Sequence, residues 1–171
     1  PSTYTIMQAA DALGINIPRL CFLKDINENA SCRVCVVEIA GMRSLKNSCS
    51  VEVGSILNRE GTATIYTNTP RVRAAVRQAL ELIAANHRFD CWKCPREDNC
   101  ELLALLRRYS IDNVMGESNC YAKKLPIINE SDAIVFDSSK CVLCGRCIGA
   151  CEKLAGTGIL DFNQRGFVTC V

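Results

Sequence analysis

The spacing of apolar positions along the chain predicts three helices, and a further helix at the last cysteine group is expected to end at Gly156 or Gly158. Residues 3 to 13 place their apolar side chains on one helical face, and Gly14 and Pro18 end that helix. Thr69 and Pro70 are suited to the N-cap and first position of a second helix, which is expected to end at Asn86. Its apolar stripe comprises Val72, Val76, Leu80 and Ile83. A third helix is expected from Glu101 to Tyr109, directly after a cysteine.

Short extended segments separate these helices. Val36 to Ile39 and Ala133 to Phe136 are predicted strands, and residues 51 to 68 are expected to form two strands around Glu60-Gly61. A hairpin around Arg165-Gly166 is expected from two further segments, 159–162 and 167–171. Separate helices and strands indicate an α+β fold.

Composition restricts the function classes. The chain has 171 residues and a net charge of +2, so charge gives no indication of nucleic acid or of an anionic membrane as partner. It contains no apolar run of eighteen residues, so no transmembrane segment is expected, and it opens with no signal segment. We expect it to be an excerpt of a longer polypeptide, because Pro1 lacks a preceding Met and the last residues stop in a predicted strand.

Thirteen cysteines dominate the candidate chemistry. They occur in groups with ligand-like spacing, whereas a secreted disulfide framework spaces its cysteines more evenly and carries less Leu, Ile and Val. The pattern therefore indicates metal-bound thiolates in a reducing, cytoplasmic compartment.

The densest group has four cysteines at spacings of three, three and four: Cys141, Cys144, Cys147 and Cys151. Two-residue gaps let one loop surround a face of a [4Fe–4S] cubane, and the fourth cysteine of such a run usually binds a second cluster. Gly145 and Gly149 relax the backbone near inorganic sulfide. Buried thiols or a zinc knuckle are the alternatives, although zinc favours two separated pairs.

A second group, near the amino terminus, has gaps of ten, two and thirteen residues: Cys21, Cys32, Cys35 and Cys49. A long loop, a tight pair and a distant closing thiolate are typical of a [2Fe–2S] site. Two unrelated buried pairs remain an alternative. A CxxC redox motif is a weaker one, because such a motif should open a helix and a strand is predicted after Cys35.

The third group includes the only histidine: His87, Cys91, Cys94 and Cys100. Three cysteines without a fourth partner make His87 a candidate ligand of a [4Fe–4S] cluster. Neutral imidazole in place of thiolate makes a cluster less negative and should raise its potential. The sequence leaves open which ring nitrogen binds.

Several other residues are expected to have no ligand role. Trp92 is expected to pack in the core, and so is Cys170, on a strand face shared with Val168. Cys120 is expected to be non-ligating within an irregular segment. Arg71, Arg73 and Arg77 are expected to form a solvated basic face.

The order and spacing of the three groups resemble a known family pattern. The chain resembles the amino-terminal electron-transfer region of iron-only hydrogenases, which is shared with the large iron–sulfur subunit of complex I and with NAD-linked formate dehydrogenases. The resemblance covers nearly the whole chain and includes Cys32-Arg-Val-Cys-Val-Val-Glu38 and Cys100-Glu-Leu102. Lys24-Asp-Ile-Asn-Glu28 favours the hydrogenases, whereas Cys144-Gly-Arg-Cys147 and Thr157-Gly-Ile-Leu-Asp161 fit the other relatives equally well.

The resemblance implies an architecture and a ligand scheme. It implies a ferredoxin-like [2Fe–2S] domain of β-grasp type in residues 1–68, without its first hairpin, and a small helical [4Fe–4S] domain in 69–118. A linker, 119–132, would precede a partial two-cluster [4Fe–4S] ferredoxin module in 133–171. The first group would hold the [2Fe–2S] cluster, the histidine group one [4Fe–4S] cluster, and the first three cysteines of the last group another. Cys151 would serve the second cluster of that module, whose remaining motif is absent.

The resemblance also implies an activity and partners. We expect an oxidoreductase component without catalytic residues of its own, from a multi-subunit NAD(P)-linked or electron-bifurcating iron-only hydrogenase. It would relay electrons between a flavin or ferredoxin partner and a hydrogen-activating site beyond residue 171. The expected partners are a flavin- and NAD(P)-binding iron–sulfur subunit, a small thioredoxin-like [2Fe–2S] subunit and ferredoxin. The alternatives are the same region of a molybdenum- or tungsten-dependent formate dehydrogenase or complex I-like subunit, and a separate diaphorase-type relay subunit.

Overall fold

The computed structural model describes residues 3–112, 127–131 and 134–171. It has four helices in these ranges, α1 (Ile6–Ala12), α2 (Pro70–Ala85), α3 (Glu101–Arg108) and α4 (Arg146–Lys153). It also has five strands, β1 (Val36–Ile39), β2 (Lys46–Asn47), β3 (Ile65–Tyr66), β4 (Ile128–Ser131) and β5 (Ile134–Phe136). The α+β class is therefore confirmed. No helix in the described ranges has the length and apolar character needed to cross a membrane.

The chain divides into two compact units, Pro1–Ala79 and Leu80–Val171. In the first unit, α1 begins at Ile6 because Thr5 caps it: the Thr5 hydroxyl accepts from the Gln8 amide at 3.2 Å, and the Gln8 side chain accepts from the Thr5 amide at 2.9 Å. Gly14 follows the helix with a φ of 72°, a left-handed conformation that favours glycine. The helix is shorter than predicted. It ends before Gly14 as expected, whereas the Thr5 cap at its start was not predicted.

A three-stranded antiparallel sheet in the order β2-β1-β3 stands at the centre of the first unit. Its register pairs Val36 with Asn47 and Glu38 with Tyr66. Ile6 and Met7 of α1 share one core cluster with Val37 and Ile39 of β1. Two of the predicted ligands, Cys35 and Cys49, belong to the same cluster.

One of the strands predicted between residues 51 and 68 is wrong. A 3₁₀ helix, Val53–Ile56, occupies that position, whereas β3 forms as the second strand. The Ser55 hydroxyl donates to the Glu52 carbonyl at 2.7 Å, and the Ser55 amide donates to the same oxygen at 3.2 Å. Such local bonds compete with strand pairing, and alternation of apolar residues does not reveal them.

Helix α2 begins as predicted. The Val72 amide donates to the Thr69 hydroxyl at 3.2 Å, which is the expected N-cap bond. Val72, Val76 and Leu80 are buried, and Ala84 is more deeply buried than Ile83. Arg71 is not simply a solvated side chain, because it forms an ion pair with Glu38 at 3.7 Å.

The second unit contains an antiparallel β4–β5 pair in which Ile128 faces Phe136. Strand β5 was predicted, but β4 lies in the segment expected to be a linker. Helix α4 follows Gly145, whose φ of 75° is left-handed. Near the end of the chain, the predicted hairpin is wrong, because the structure has a single bridge, Asn163 to Cys170, and a 3₁₀ turn.

The failed hairpin has a physical reason. Ile159 is 81% exposed and Val168 is 58% exposed, so these apolar side chains are not packed against another layer in the described structure. A two-stranded hairpin without a covered apolar face is marginal in water. Cys170 is only half-buried, so its expected place in the core is also wrong.

Two further expectations have different outcomes. Trp92 was expected in the core, yet 72% of its surface is exposed, so that prediction is wrong. Cys120 lies outside the described residues, and its expected non-ligating role stays a prediction.

Candidate metal centres

The four cysteines of the first unit lie in the structure as two pairs. The Cys35 and Cys49 sulfurs are 3.3 Å apart, and both residues are almost fully buried. Cys21 is equally buried and is hydrogen-bonded to Cys32, which is half-buried. The sequence spacing therefore brings all four predicted ligands into pairwise contact.

The hydrogen bond within each pair shifts the pKa values of its two thiols apart. The bond with Cys32 lowers the pKa of Cys21 to about 5, and the bond with Cys49 lowers the pKa of Cys35 to about 6. The pKa of Cys32 and of Cys49 is raised, first by the same hydrogen bond and then by burial. Each pair thus readily provides one thiolate, the form that binds iron.

Backbone contacts hold the loop around these sulfurs. The Asn27 side chain donates to the Cys21 carbonyl at 2.7 Å, and the Ser48 hydroxyl donates to the Cys35 carbonyl at 2.8 Å. Arg33, between Cys32 and Cys35, has a φ of 58°, a left-handed conformation that is uncommon for a residue with a side chain. No role was predicted for Ser48. Its position next to Cys49 was the only feature of the sequence that could have indicated one.

The histidine group of the second unit lines one cavity. Its four predicted ligands contribute to the lining together with Arg88, Glu97, Leu103 and Lys140. His87 follows α2, where its amide donates to the Ala84 carbonyl at 3.0 Å. At the other end of the segment, Cys100 is the N-cap of α3, and its sulfur accepts from the Leu103 amide at 3.4 Å. Two helix ends and two short 3₁₀ turns, Cys91–Lys93 and Glu97–Asn99, thus place the predicted ligands together.

The imidazole of His87 is kept neutral. Burial lowers its pKa to about 4, and the charge of Lys140 acts in the same direction, whereas Asp137 opposes it. Its Nδ1 is buried and has no hydrogen-bond partner in the described part of the chain. A neutral ring with an unsatisfied nitrogen is the form that binds metal. Burial also raises the pKa of Cys91, with the neighbouring cysteines adding to the effect.

The last group surrounds the start of α4. The Cys141 sulfur accepts from the Leu143 amide at 3.4 Å, and Leu143 has a φ of 56°. Cys147 is exposed, whereas Cys151 is buried, with its sulfur 3.1 Å from the Thr157 hydroxyl. Thr157, followed by the Leu160 backbone, lowers the pKa of Cys151. Thr157 belongs to a string that resembles the known family, but its distance along the chain from Cys151 did not indicate this contact.

The donor chemistry of each group fits an iron–sulfur cluster. In the described ranges, no three His, Cys, Asp or Glu side chains converge as a single metal ion would require. Each thiolate of a cubane binds a different iron, so cluster ligands need not converge on one point. Closely paired sulfurs in the first unit, and backbone amides donating to sulfurs in the second, are both compatible with such clusters.

Three family models match the chain in the expected order. A 2Fe-2S iron-sulfur cluster binding domain matches residues 2–57. The NADH-ubiquinone oxidoreductase-G iron-sulfur binding region matches residues 77–114, and a 4Fe-4S binding domain matches residues 134–155. The expectation of both cluster types is therefore confirmed at the level of domains.

Known proteins are similar over almost the whole chain. The NADP-reducing hydrogenase subunit HndD of Solidesulfovibrio fructosivorans is 37% identical over 100% of this chain and 29% of its own length. Iron hydrogenase 1 of Clostridium pasteurianum is 32% identical over 95% of this chain and 27% of its own. The 75 kDa subunit of NADH-ubiquinone oxidoreductase from Reclinomonas americana is 30% identical over 95% of this chain and 22% of its own length. The chain spans about a fifth to three tenths of the length of these relatives.

A solved structure shares the fold. A chain from the crystal structure of an NAD+-reducing [NiFe]-hydrogenase in the H2-reduced state matches with a TM-score of 0.81 at 25% identity. The match covers 97% of this chain and 66% of that one. The predicted resemblance to an iron–sulfur region shared by hydrogenases and NADH-ubiquinone oxidoreductases is confirmed.

Proposed function

We propose that the chain is the iron–sulfur electron-relay region of an oxidoreductase, an iron-only hydrogenase of the NAD(P)-linked or electron-bifurcating, multi-subunit type. The observation that carries this proposal is the order of three separate sets of predicted ligands, each of which lies inside a matching cluster-binding domain. The catalytic, hydrogen-activating site would lie outside residues 1–171. The region itself would carry electrons in the cytoplasm between that site and a flavin or ferredoxin partner.

The proposed ligand scheme follows the three groups. Cys21 and Cys32 would bind one iron of the [2Fe–2S] cluster, and Cys35 and Cys49 the other, as their pairing suggests. His87, Cys91, Cys94 and Cys100 would hold a [4Fe–4S] cluster. Cys141, Cys144 and Cys147 would hold a further [4Fe–4S] cluster. Cys151 would serve the second cluster of the same ferredoxin module. The domain boundaries predicted above belong to the same proposal.

The clusters, when bound, supply one-electron redox chemistry. The chain supplies thiolates, a neutral imidazole and amide donors to sulfur, and it excludes water most strongly around Cys21, Cys35 and Cys49. These are the properties by which a protein sets the potential of an iron–sulfur site. Several such sites in one chain are suited to carry electrons between distant partners.

The proposed partners are a flavin- and NAD(P)-binding iron–sulfur subunit, a small thioredoxin-like [2Fe–2S] subunit and ferredoxin. The support is indirect: the similar proteins include a subunit of an NADP-reducing hydrogenase and a chain of an NAD+-reducing hydrogenase. Copurification of the full-length protein with a flavin-containing subunit would test this part of the proposal. A full-length protein that is isolated alone and oxidises hydrogen with NAD(P)+ would contradict it.

A second candidate is the same relay region of a complex I-like subunit or of a molybdenum- or tungsten-dependent formate dehydrogenase. The similarity to the 75 kDa subunit of NADH-ubiquinone oxidoreductase favours it. A third is a separate relay subunit, favoured by the 66% coverage of the [NiFe]-hydrogenase chain. Peptide sequencing of the intact polypeptide past Val171 distinguishes these candidates. Further cysteines of a hydrogen-activating domain would support the hydrogenase, and a molybdopterin-type domain would support the formate dehydrogenase relative. An early end of the chain would support a separate relay subunit.

The replacement Cys94→Ala tests the relay in the intact complex. It should abolish electron transfer from donor to acceptor and remove one [4Fe–4S] signal in electron paramagnetic resonance, while the [2Fe–2S] signal remains. The Cys170→Ala variant is the matched control, because Cys170 lies outside the three groups. Full donor-to-acceptor activity in Cys94→Ala would contradict a relay through this site.

A further inference from the structure

Two charged residues precede two of the cysteine motifs and form an ion pair. Asp90 stands directly before Cys91, and Lys140 stands directly before Cys141. The Lys140 ammonium contacts one oxygen of the Asp90 carboxylate, and Arg88 contacts the other at 3.1 Å. One carboxylate thus lies between two cations, within a single compact unit.

Both partners of this pair are mostly buried. The side chains of Lys140 and Asp90 are 19% and 16% exposed, whereas that of Arg88 is 50% exposed. Glu97, the carboxylate that lines the cavity, is an exposed residue. Water screens exposed charges much more strongly than buried ones, so Lys140 and Asp90 should act on the cavity more strongly than Arg88 or Glu97.

Backbone bonds fix Lys140 in this position. The Arg88 amide donates to the Ser139 carbonyl at 3.2 Å, which ties the segment after His87 to the segment before Cys141. The Ser139 hydroxyl donates to Asp137 at 2.6 Å, and the Lys140 amide donates to the Asp137 carbonyl at 3.1 Å. The side chain of Lys140 therefore reaches the cavity from a rigid turn.

Lys140 also lines the cavity itself. His87, Cys91, Cys94 and Cys100 line the same cavity. A charge in this lining lies next to any cluster that these four residues would bind, so it should act on that cluster.

We propose that the positive charge of Lys140, which is paired with Asp90, raises the reduction potential of the cluster bound by His87, Cys91, Cys94 and Cys100. The inference rests on the ligand scheme proposed above. Reduction adds one negative charge to a cluster, so a nearby positive charge stabilises the reduced form more than the oxidised form. Asp90 acts with the opposite sign through its own charge.

Opposite shifts in the two single variants test the proposal. Redox titration of the full-length protein, followed by electron paramagnetic resonance, gives the potential of the signal that Cys94→Ala removes. Lys140→Met should lower this potential, Asp90→Asn should raise it, and Lys140→Arg should keep it close to that of the unsubstituted protein. Arg107→Met, which removes one exposed positive charge from the same unit, is the control and should have a much smaller effect.

The outcomes separate this inference from the ligand scheme. Normal iron and sulfide content with an unchanged potential in Lys140→Met would overturn the role of Lys140 and leave the ligand scheme intact. Shifts of the same sign in Lys140→Met and Asp90→Asn, or loss of the signal in both Lys140→Met and Lys140→Arg, would show a purely structural pair and also overturn it. A Cys94→Ala variant with all its signals would instead contradict the ligand scheme.

Discussion

The predicted [2Fe–2S] site and the histidine-containing site both use cysteine donors but have different surroundings. Cys21, Cys35 and Cys49 are 1 to 2% exposed, and two of them belong to the hydrophobic core of their unit. Cys91, Cys94 and Cys100 are only half-buried, around a cavity with a charged rim. Apolar packing holds the first site, whereas short turns and ion pairs hold the second.

This difference has a consequence for stability. A site built into a hydrophobic core gains stability from the same side chains that fold the unit. Where such packing is sparse, cluster binding contributes folding free energy itself. We therefore expect the two sites to respond differently to metal removal and to core substitutions.

Cluster removal should show the largest difference. After anaerobic chelation of iron, amide hydrogen exchange should become fast in residues 88–100, while the amide of Val37 in β1 stays protected. The reason is that Val37 is fully buried in a packed core, whereas the 88–100 segment contains only 3₁₀ turns between the predicted ligands. Equal loss of protection in both segments would contradict the comparison.

A core truncation should affect the first site selectively. Met7 is fully buried in the cluster that contains Cys35 and Cys49, so Met7→Ala should cost about 2–5 kcal/mol in unfolding free energy. The [2Fe–2S] signal should be lost at lower urea concentration, with the [4Fe–4S] signals unchanged. Leu13→Ala, at a residue that is 76% exposed, is the control and should change stability by less than about 0.5 kcal/mol.

A pair of matched carboxylate substitutions sharpens the comparison at a smaller scale. Glu38 accepts from the Thr69 hydroxyl at 2.7 Å and its side chain is 28% exposed, so Glu38→Gln should cost about 1 kcal/mol. Glu101 contacts Arg146 at 2.6 Å but its side chain is 49% exposed, so Glu101→Gln should cost about 0.5 kcal/mol or less. Chemical denaturation of both variants measures the difference, and a larger effect at Glu101 would argue against it.

The smallest effect is expected at the surface of α1. Arg19 forms a bidentate ion pair with Asp11 and lowers the pKa of that carboxyl. Because the pKa of Asp11 is lower in the native state than in the unfolded state, the ionised carboxylate stabilises the fold when the pH is above the unfolded-state pKa. This stabilisation is lost as the pH falls through the native-state pKa. Asp11→Asn should thus cost about 0.5 kcal/mol at pH 7, because the Asp11 side chain is 43% exposed, and less than this at pH 2. A cost at pH 2 equal to that at pH 7 would exclude this ion pair as its source.

The local signals in the sequence correctly predicted the parts of the fold that depend on neighbouring residues. The Thr69 cap, the strand after Cys35 and the helix after Cys100 all form, because capping and strand propensity act over a few residues. Ligand spacing placed Cys32, Cys35 and Cys49 in one predicted site. It indicated Cys32 and Cys35 as the tight pair, whereas the structure pairs Cys35 with Cys49.

Apart from the local 3₁₀ helix Val53–Ile56, the main features that the sequence did not predict depend on contacts between distant segments. The ion pair of Asp90 and Lys140 joins residues fifty positions apart, and no periodicity reports such a contact. The exposure of Trp92 and the missing carboxy-terminal hairpin reflect the absence of a covering layer in the described structure. Apolar alternation indicates what a strand would bury but does not show that a partner surface is present.

The most direct test of the ligand scheme is Mössbauer spectroscopy of the full-length protein enriched in ⁵⁷Fe, compared with its Cys94→Ala variant. We expect signals of both [2Fe–2S] and [4Fe–4S] clusters, with Cys94→Ala losing only part of the [4Fe–4S] area. A protein without sulfide-bridged iron, or a Cys94→Ala variant that also loses the [2Fe–2S] signal, would contradict independent cluster sites in this chain.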